Sequence, residues 1–230
     1  MGELGDALVA MHGARHRFRS LRATIREWRD GPLSRQAAVR FGETPAGKQS
    51  GYAELIDGVG DDVREWQTSE GAWRLWFERP YRLREERDES VPGIELGIRE
   101  GRQWWMYHRR FGSHSNAHDL SVGSEVGAQA EPLLDPSPFL GAFRFETRGR
   151  GELAGREAIL LYGKRRPGGV HSLALDRLGD EVSELELAVD AERGVLLRRS
   201  LLLDERPYQV TELVAVAFDE PFPAGTFAPR

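Results

Sequence analysis

Three histidines and an aspartate lie close together in the sequence and carry the side chains that commonly hold metal ions. They are His108, His114, His118 and Asp119. Imidazole and carboxylate are the usual ligands where thiolates are absent, and His114 and His118 have the spacing of neighbours on one helical face. The surrounding residues, FGSHSNAHD, offer no apolar face to fix such a helix. The pattern therefore favours a solvated loop over a metal site, and we predict neither a metal nor a cofactor.

A second group of residues could perform nucleophilic chemistry. Ser172 follows His171, and Ser137 lies upstream. A serine nucleophile needs a base beside it and a sharp strand-to-helix turn that presents it, as in the Gly-x-Ser-x-Gly motif, and neither serine has that motif. No glycine-rich phosphate loop occurs in the required strand–loop–helix context either. We therefore predict that the protein is not an enzyme.

A third group, in RLREERDES, alternates acidic and basic side chains. The acidic residues are Glu85, Glu86, Asp88 and Glu89, and the basic residues are Arg82, Arg84 and Arg87. Paired carboxylates can serve as general acid and base. Carboxylates that alternate with arginines along a strand are more typical of a solvated face with cross-strand ion pairs, and we predict such a face.

Composition restricts the possible partners. The 230 residues carry a formal net charge of −5 with both signs interspersed, which argues against a nucleic-acid surface. Cysteine is absent, and no stretch approaches the ~20 apolar residues of a membrane span, so we expect no integral membrane segment. The first residues, MGELGD, are acidic where a signal peptide is basic. The sequence as written predicts a cytoplasmic protein, and a periplasmic or extracytoplasmic one if a leader has been removed.

The stretch LELAVDAERGVLLRRSLLL, residues 185–203, predicts a β-hairpin that is central in a sheet. Leu185, Leu187 and Val189 alternate with other residues on the way in, which is the period of a strand with one buried face. Asp190 and Gly194 bound the connection, and glycine takes a positive φ at no steric cost. We expect the remaining strands to lie antiparallel on either side of this hairpin.

The other segments complete a mainly β chain that we interpret as one domain, residues 1–230. Residues 1–17 predict an amphipathic N-terminal helix, and residues 20–28 the first strand. Residues 29–50 and 112–130 predict loop-rich excursions, with helical potential over residues 33–41 of the first. A run of strands is expected from residue 71, a short helix within residues 132–143, a second run of strands after it, and a proline-rich tail that caps the sheet edge.

Several of these stretches, in this order, resemble the lipoprotein-localisation carriers. They are LWFERPYRLREE, then GRQWWMY, PSPFLGAF, VDAERGVLLR and FDEPFPAGTF, within residues 71–230. Periplasmic stress-sensor domains that bind an anti-sigma factor share the pattern. The resemblance implies a long curved antiparallel sheet that forms an unclosed half-barrel, with the N-terminal helix and short helices covering its concave face. It also implies that Arg79, before Pro80, bonds helix backbone and latches this lid.

The resemblance suggests a cavity, and so does the alternation of apolar residues that gives each strand one apolar face. The candidate lining residues are Trp73, Leu75, Phe77, Trp104, Phe139 and Phe143. Aromatic residues at alternating positions also form ordinary cores, so the sequence leaves open whether the concave face is filled. We expect a binding protein for a lipid, an acyl chain or another hydrophobic ligand. The alternative is an interaction or sensor module that holds a protein partner on the same sheet.

Overall fold

A computed structural model describes residues 2–44, 66–87, 95–120, 123, 126–166 and 182–228 of the chain. Its helices are α1 (Glu3–Gly13), α2 (Gly31–Glu43), α3 (Glu131–Leu134) and α4 (Ser137–Ala142), with a 3₁₀ turn at Ala14–His16. Its first six strands are β1 (Ser20–Arg29), β2 (Ser69–Glu78), β3 (Arg82–Arg87), β4 (Leu96–Glu100), β5 (Gln103–His108) and β6 (Gly112–Ser115). The other five are β7 (Phe143–Leu153), β8 (Arg156–Arg165), β9 (Glu184–Asp190), β10 (Leu196–Leu203) and β11 (Arg206–Phe218).

The eleven strands in the described part of the chain form one antiparallel sheet. The strand order is β6-β5-β4-β3-β2-β1-β11-β10-β9-β8-β7, and β6 and β7 are the two edges. The sheet is therefore not closed into a barrel, and the predicted mainly β half-barrel is confirmed. The first strand lies in the middle because β1 pairs with β2 on one side and with the last strand, β11, on the other.

The predicted hairpin is present as β9 and β10. Val189 pairs with Leu196, and the turn between them is held by Asp190, whose Oδ1 accepts the backbone N–H groups of Glu192 (2.9 Å) and Arg193 (2.7 Å). Gly194 closes the turn with φ of +76°. Both strands are interior to the sheet, since β8 and β11 flank them, although β1 holds the middle position.

The N-terminal helix packs on the sheet at the β7–β9 end. Ala7, Ala10 and Met11 are its buried residues, and α1 contacts β7, β8, β9 and α4. A Cβ at Gly194 would overlap the carbonyl oxygen of Ala10, so the hairpin turn lies directly against the helix backbone. The absence of a side chain at Gly194 therefore permits this close approach.

The first predicted excursion contains a longer helix than its apolar pattern indicates. Residues 33–41 have the helical pattern, whereas α2 extends over Gly31–Glu43. Asp30 begins it, because its Oδ1 accepts the backbone N–H of Leu33 at 2.9 Å, and Pro32 lies in the first turn. Residues 45–50 of this excursion lie outside the described part. The helix packs on β11.

The other predicted excursion and the predicted short helix also differ in detail. Residues 112–130 include an edge strand, β6, followed by turns. The stretch predicted as one short helix forms two, α3 and α4, because Asp135 leaves the helical region with φ of −130° and ψ of 86°. Helix α3 packs against β10, and α4 against α1 and β7. Helices thus cover the concave face of the sheet, as the fold prediction requires.

The C-terminal tail lies across the convex face and not at the sheet edge where it was predicted. Arg84 of β3 donates from Nη1 to the carbonyl oxygen of Thr226 at 3.0 Å. The guanidinium of Arg82 lies 4.7 Å from the ring centroid of Phe227. The edge was the wrong location because the last strand pairs beside the first, which leads the tail over the middle of the sheet.

Candidate functional site

An apolar pocket opens where the end of β2 meets the two short helices. Its volume is about 250 Å³. The apolar part of its wall is formed by Phe77, Tyr81, Pro132, Leu134 and Pro138. Four charged residues also line it, namely Arg15, Arg79, Glu131 and Asp135. The pocket therefore joins the N-terminal segment, the β2–β3 turn and α3–α4.

Arg79 is held at this pocket by the backbone between α1 and β1. Its backbone N–H donates to the carbonyl oxygen of Arg19 (2.9 Å), and its Nε donates to that of Phe18 (2.9 Å). The guanidinium also stacks over the rings of Phe18 and Phe77, 5.0 and 5.5 Å from their centroids. The charged side chain is thereby fixed against apolar surface.

The electrostatic environment of Arg79 disfavours its charge. Burial lowers the pKa of Arg79, the carboxylate of Asp135 acts in the opposite direction, and the nearby positive charge of Arg15 lowers it further. Within the described part of the chain, neither Arg79 nor Arg15 forms an ion pair. The side chain of Arg15 donates from Nε to the imidazole Nε2 of its neighbour His16, at 3.1 Å.

The carboxylate of Glu131 fastens α3 to the sheet on the other side of the pocket. It accepts hydrogen bonds from the hydroxyl of Tyr81 and from Nη1 of Arg99, the latter at 3.0 Å. The guanidinium of Arg99 lies over the Tyr81 ring, 4.5 Å from its centroid. The charge of Glu131 is thus matched by Arg99 and does not neutralise the two arginines at the mouth.

The six predicted cavity residues are all buried in the core between the sheet and the helices. They are Trp73, Leu75, Phe77, Trp104, Phe139 and Phe143. Phe139 and Phe143 lie together, with ring centroids 6.0 Å apart, and Phe77 contacts Phe18 edge to face at 5.9 Å. Of the six, Phe77 lines the pocket at Arg79. Their role in holding a ligand stays a prediction.

The prediction of a solvated face on β3 is wrong for two of its residues. Glu85 is 1% exposed and points to the concave side, and Arg84 is 4% exposed beneath the C-terminal tail. Burial raises the pKa of Glu85, although Arg87 and a hydrogen bond from the backbone N–H of Gly127 lower it. The alternation of charges predicted that both side chains are exposed to solvent, because the sequence does not show which segments cover each face of the strand. Asp88 and Glu89 lie outside the described residues.

A further buried charged residue, which the sequence reasoning missed, lies on β10. Arg199 is 3% exposed, and burial lowers its pKa to about 10. Its Nη2 donates to Thr211 Oγ1 at 3.2 Å, whereas Nε and Nη1 have no hydrogen-bond partner among the described residues. Glu27 is its favourable electrostatic partner. The only sequence signal was an arginine at an inward position of a strand otherwise rich in leucine.

The metal and nucleophile candidates do not assemble into a site in the described part of the chain. No group of three or more histidine, aspartate or glutamate side chains there could hold a metal ion. His114 Nε2 lies 2.9 Å from the carbonyl oxygen of Phe111, and His108 accepts the backbone N–H of Arg110. The backbone N–H of Ser137 donates to Asp135 at the start of α4. His171 and Ser172 lie outside the described residues.

Solved structures share this architecture, although no protein-family model and no curated protein matches the sequence. MucB is 13% identical with a TM-score of 0.57, over 98% of this chain and 62% of that one. The Pseudomonas aeruginosa MucA/MucB complex is 14% identical with a TM-score of 0.55, and the match covers 100% of this chain and 62% of that one. An uncharacterized conserved protein from Thermus thermophilus is 9% identical with a TM-score of 0.51, and the match covers 99% of this chain and 94% of that one.

These likenesses concern the fold, and at that level they confirm the predicted resemblance. The chain has the open half-barrel architecture of MucB and spans 62% of the MucB chain's length. None of the helices in the described residues is long and apolar enough to cross a membrane. The cellular location expected from the N-terminus stays a prediction.

Proposed function

We propose that this protein is a non-enzymatic binding protein that takes an apolar ligand between the concave face of its sheet and the covering helices. The observation that carries the proposal is the apolar pocket at Arg79, whose wall residue Phe77 belongs to the core. Ligand pockets are mostly apolar, with a few polar groups that orient the ligand. This pocket has that composition.

The ligand would enter by displacing helices, because the volume of about 250 Å³ is below the ~300–1,000 Å³ of typical ligand sites. Trp73, Leu75 and Phe139 are buried in the same core cluster as the wall residue Phe77. In the proposal, Arg79 holds the closed state through its bond to the carbonyl oxygen of Phe18. Opening separates the N-terminal segment from β2 and exposes apolar surface for the ligand.

A binding experiment with an uncharged apolar fluorophore tests this function. We expect saturable binding to the intact protein, and a changed affinity in Arg79→Leu, which removes the latch and keeps the bulk. Arg74→Leu is the matched control, because Arg74 lies on the same strand and pairs with Glu86 on the convex face. Absence of saturable binding, in both the wild type and Arg79→Leu, would contradict the function.

A second function, the holding of a protein partner, is favoured by one finding. MucB has been solved in complex with MucA, and that structure aligns over 100% of this chain. Native mass spectrometry of the protein purified from its host separates the two functions. A co-purified lipid-sized mass supports ligand binding, whereas a bound polypeptide supports the partner function.

A further inference from the structure

The pocket at Arg79 has an excess of positive charge that its own residues leave unmatched. Arg79 and Arg15 both line it, and no carboxylate in the described part of the chain forms an ion pair with either. The terminal nitrogens of Arg79 have no hydrogen-bond partner there, since only its Nε bonds the Phe18 carbonyl. Glu131 is matched by Arg99, which leaves Asp135 as the one lining carboxylate available to offset two arginines. The net local charge is therefore close to one positive unit.

The two arginines stand at an apolar wall, and this combination defines a chemical class of ligand. Burying a charge beside Phe77, Tyr81 and Leu134 is costly unless an opposite charge accompanies it. A guanidinium presents paired donors that match a carboxylate, and such charge-assisted bonds are roughly twice as strong as neutral ones. An anionic head on an apolar chain would satisfy both parts of the site.

We propose that this pocket recognises a long-chain carboxylate, with the head group between Arg79 and Arg15 and the chain along Phe77, Tyr81 and Leu134. The inference rests on the proposed binding function and names the class of its ligand. One unit of excess charge matches a monoanion. A pocket of about 250 Å³ accommodates part of a single chain, which favours a fatty acid over a lipid with two chains.

Calorimetry with dodecanoate and with dodecanol tests the inference, because the two share a chain and differ in the charged head. With the intact protein, dodecanoate is used below its critical micelle concentration and dodecanol below its solubility limit in water. We expect dodecanoate to bind about tenfold more tightly than dodecanol, which is the ratio that one charge-assisted bond supplies. The preference should shrink at high salt, because the head group lies at a solvent-accessible mouth.

Variants of the two arginines test whether the preference for dodecanoate over dodecanol arises at this pocket. Arg15→Gln changes an exposed side chain and should reduce the ratio of dodecanoate affinity to dodecanol affinity. Arg79→Gln should reduce the preference further. Arg144→Gln, which removes an exposed positive charge from the edge strand β7, is the control and should retain the wild-type ratio.

The possible failures are distinguishable. Equal binding of dodecanoate and dodecanol by the wild type would overturn the carboxylate inference and leave the binding function standing. A preference that survives Arg15→Gln and Arg79→Gln would overturn the assignment of the head group to this pocket. If neither compound binds, the proposed function fails together with the inference.

Discussion

Arg79 Nε donates a hydrogen bond to the carbonyl oxygen of Phe18 over 2.9 Å, and this bond joins the end of β2 to the segment that leads from α1 into β1. The two residues also stack, with the guanidinium 5.0 Å from the Phe18 ring centroid. The contact connects strand and N-terminal segment through the backbone of one partner. A substitution at Phe18 would therefore leave the hydrogen bond possible, whereas one at Arg79 removes it.

The first prediction concerns the protection of α1. Arg79→Leu should accelerate amide hydrogen exchange in α1 roughly tenfold, because a bond from a charged donor contributes about 1.5–3 kcal/mol to the closed state. Exchange measured by mass spectrometry on peptides covering residues 3–16 checks it. Arg74→Leu on the convex face should leave this exchange unchanged. Unaltered α1 exchange in a folded Arg79→Leu protein would show that the arginine does not hold the helix.

The second prediction concerns the contact between the hairpin turn and α1. Gly194→Ala should destabilise the protein by more than the ~1–3 kcal/mol of a strained φ, because the new Cβ would also overlap the Ala10 carbonyl. Gly155→Ala is the control, since Gly155 has a similar φ of +70° and no neighbouring atom within 4 Å of the added Cβ. Chemical denaturation compares the two. If both variants lose the same free energy of unfolding, α1 moves away from the new Cβ at no cost in stability.

The third prediction uses the raised pKa of Glu85. The folded protein binds this proton more tightly than the unfolded chain, so the charged form costs stability, and that cost grows as pH rises from the ordinary value of 4.5 through the raised folded pKa. Glu85→Gln should stabilise the protein at neutral pH by more than the ~0.5 kcal/mol typical of surface changes.

The pH dependence of that variant provides the decisive comparison. The advantage of Glu85→Gln should shrink as pH falls below the raised pKa, because the wild-type side chain is then neutral too. Glu152→Gln, at an exposed position on β7, is the control and should show no such trend. If denaturation curves for Glu85→Gln and wild type differ by the same amount at every pH, the buried carboxyl does not titrate as described.

The fourth prediction concerns the hairpin of β9 and β10. The amides of Leu187, Ala188 and Val189 should be among the slowest to exchange, since their strand is interior and all three residues are buried. Residues 117–120, which are exposed after β6, should exchange fast. Exchange of the hairpin at the rate of those turns would place it outside the stable part of the sheet.

The sequence by itself determined most of the secondary structure and the fold class. Alternation in Leu21, Ala23 and Ile25 predicts a half-buried strand, and the aspartate and glycine of the hairpin predict its turn, because both signals depend on neighbours along the chain. The apolar pattern alone did not predict where α2 begins. Its start is set by a local signal, the N-cap at Asp30. The motifs from Arg79–Pro80 to the C-terminal tail indicated the half-barrel.

Only the tertiary structure decided which charged residues are buried and where the pocket lies. Period-2 alternation gives Glu85 and Arg84 opposite faces and cannot show that Gly127 covers the first and Thr226 the second. The pocket required Arg15, Phe77 and Leu134 to meet, although they are far apart in sequence. Burial and charge pairing depend on such distant segments, whose positions follow from the pairing of β1 with both β2 and β11.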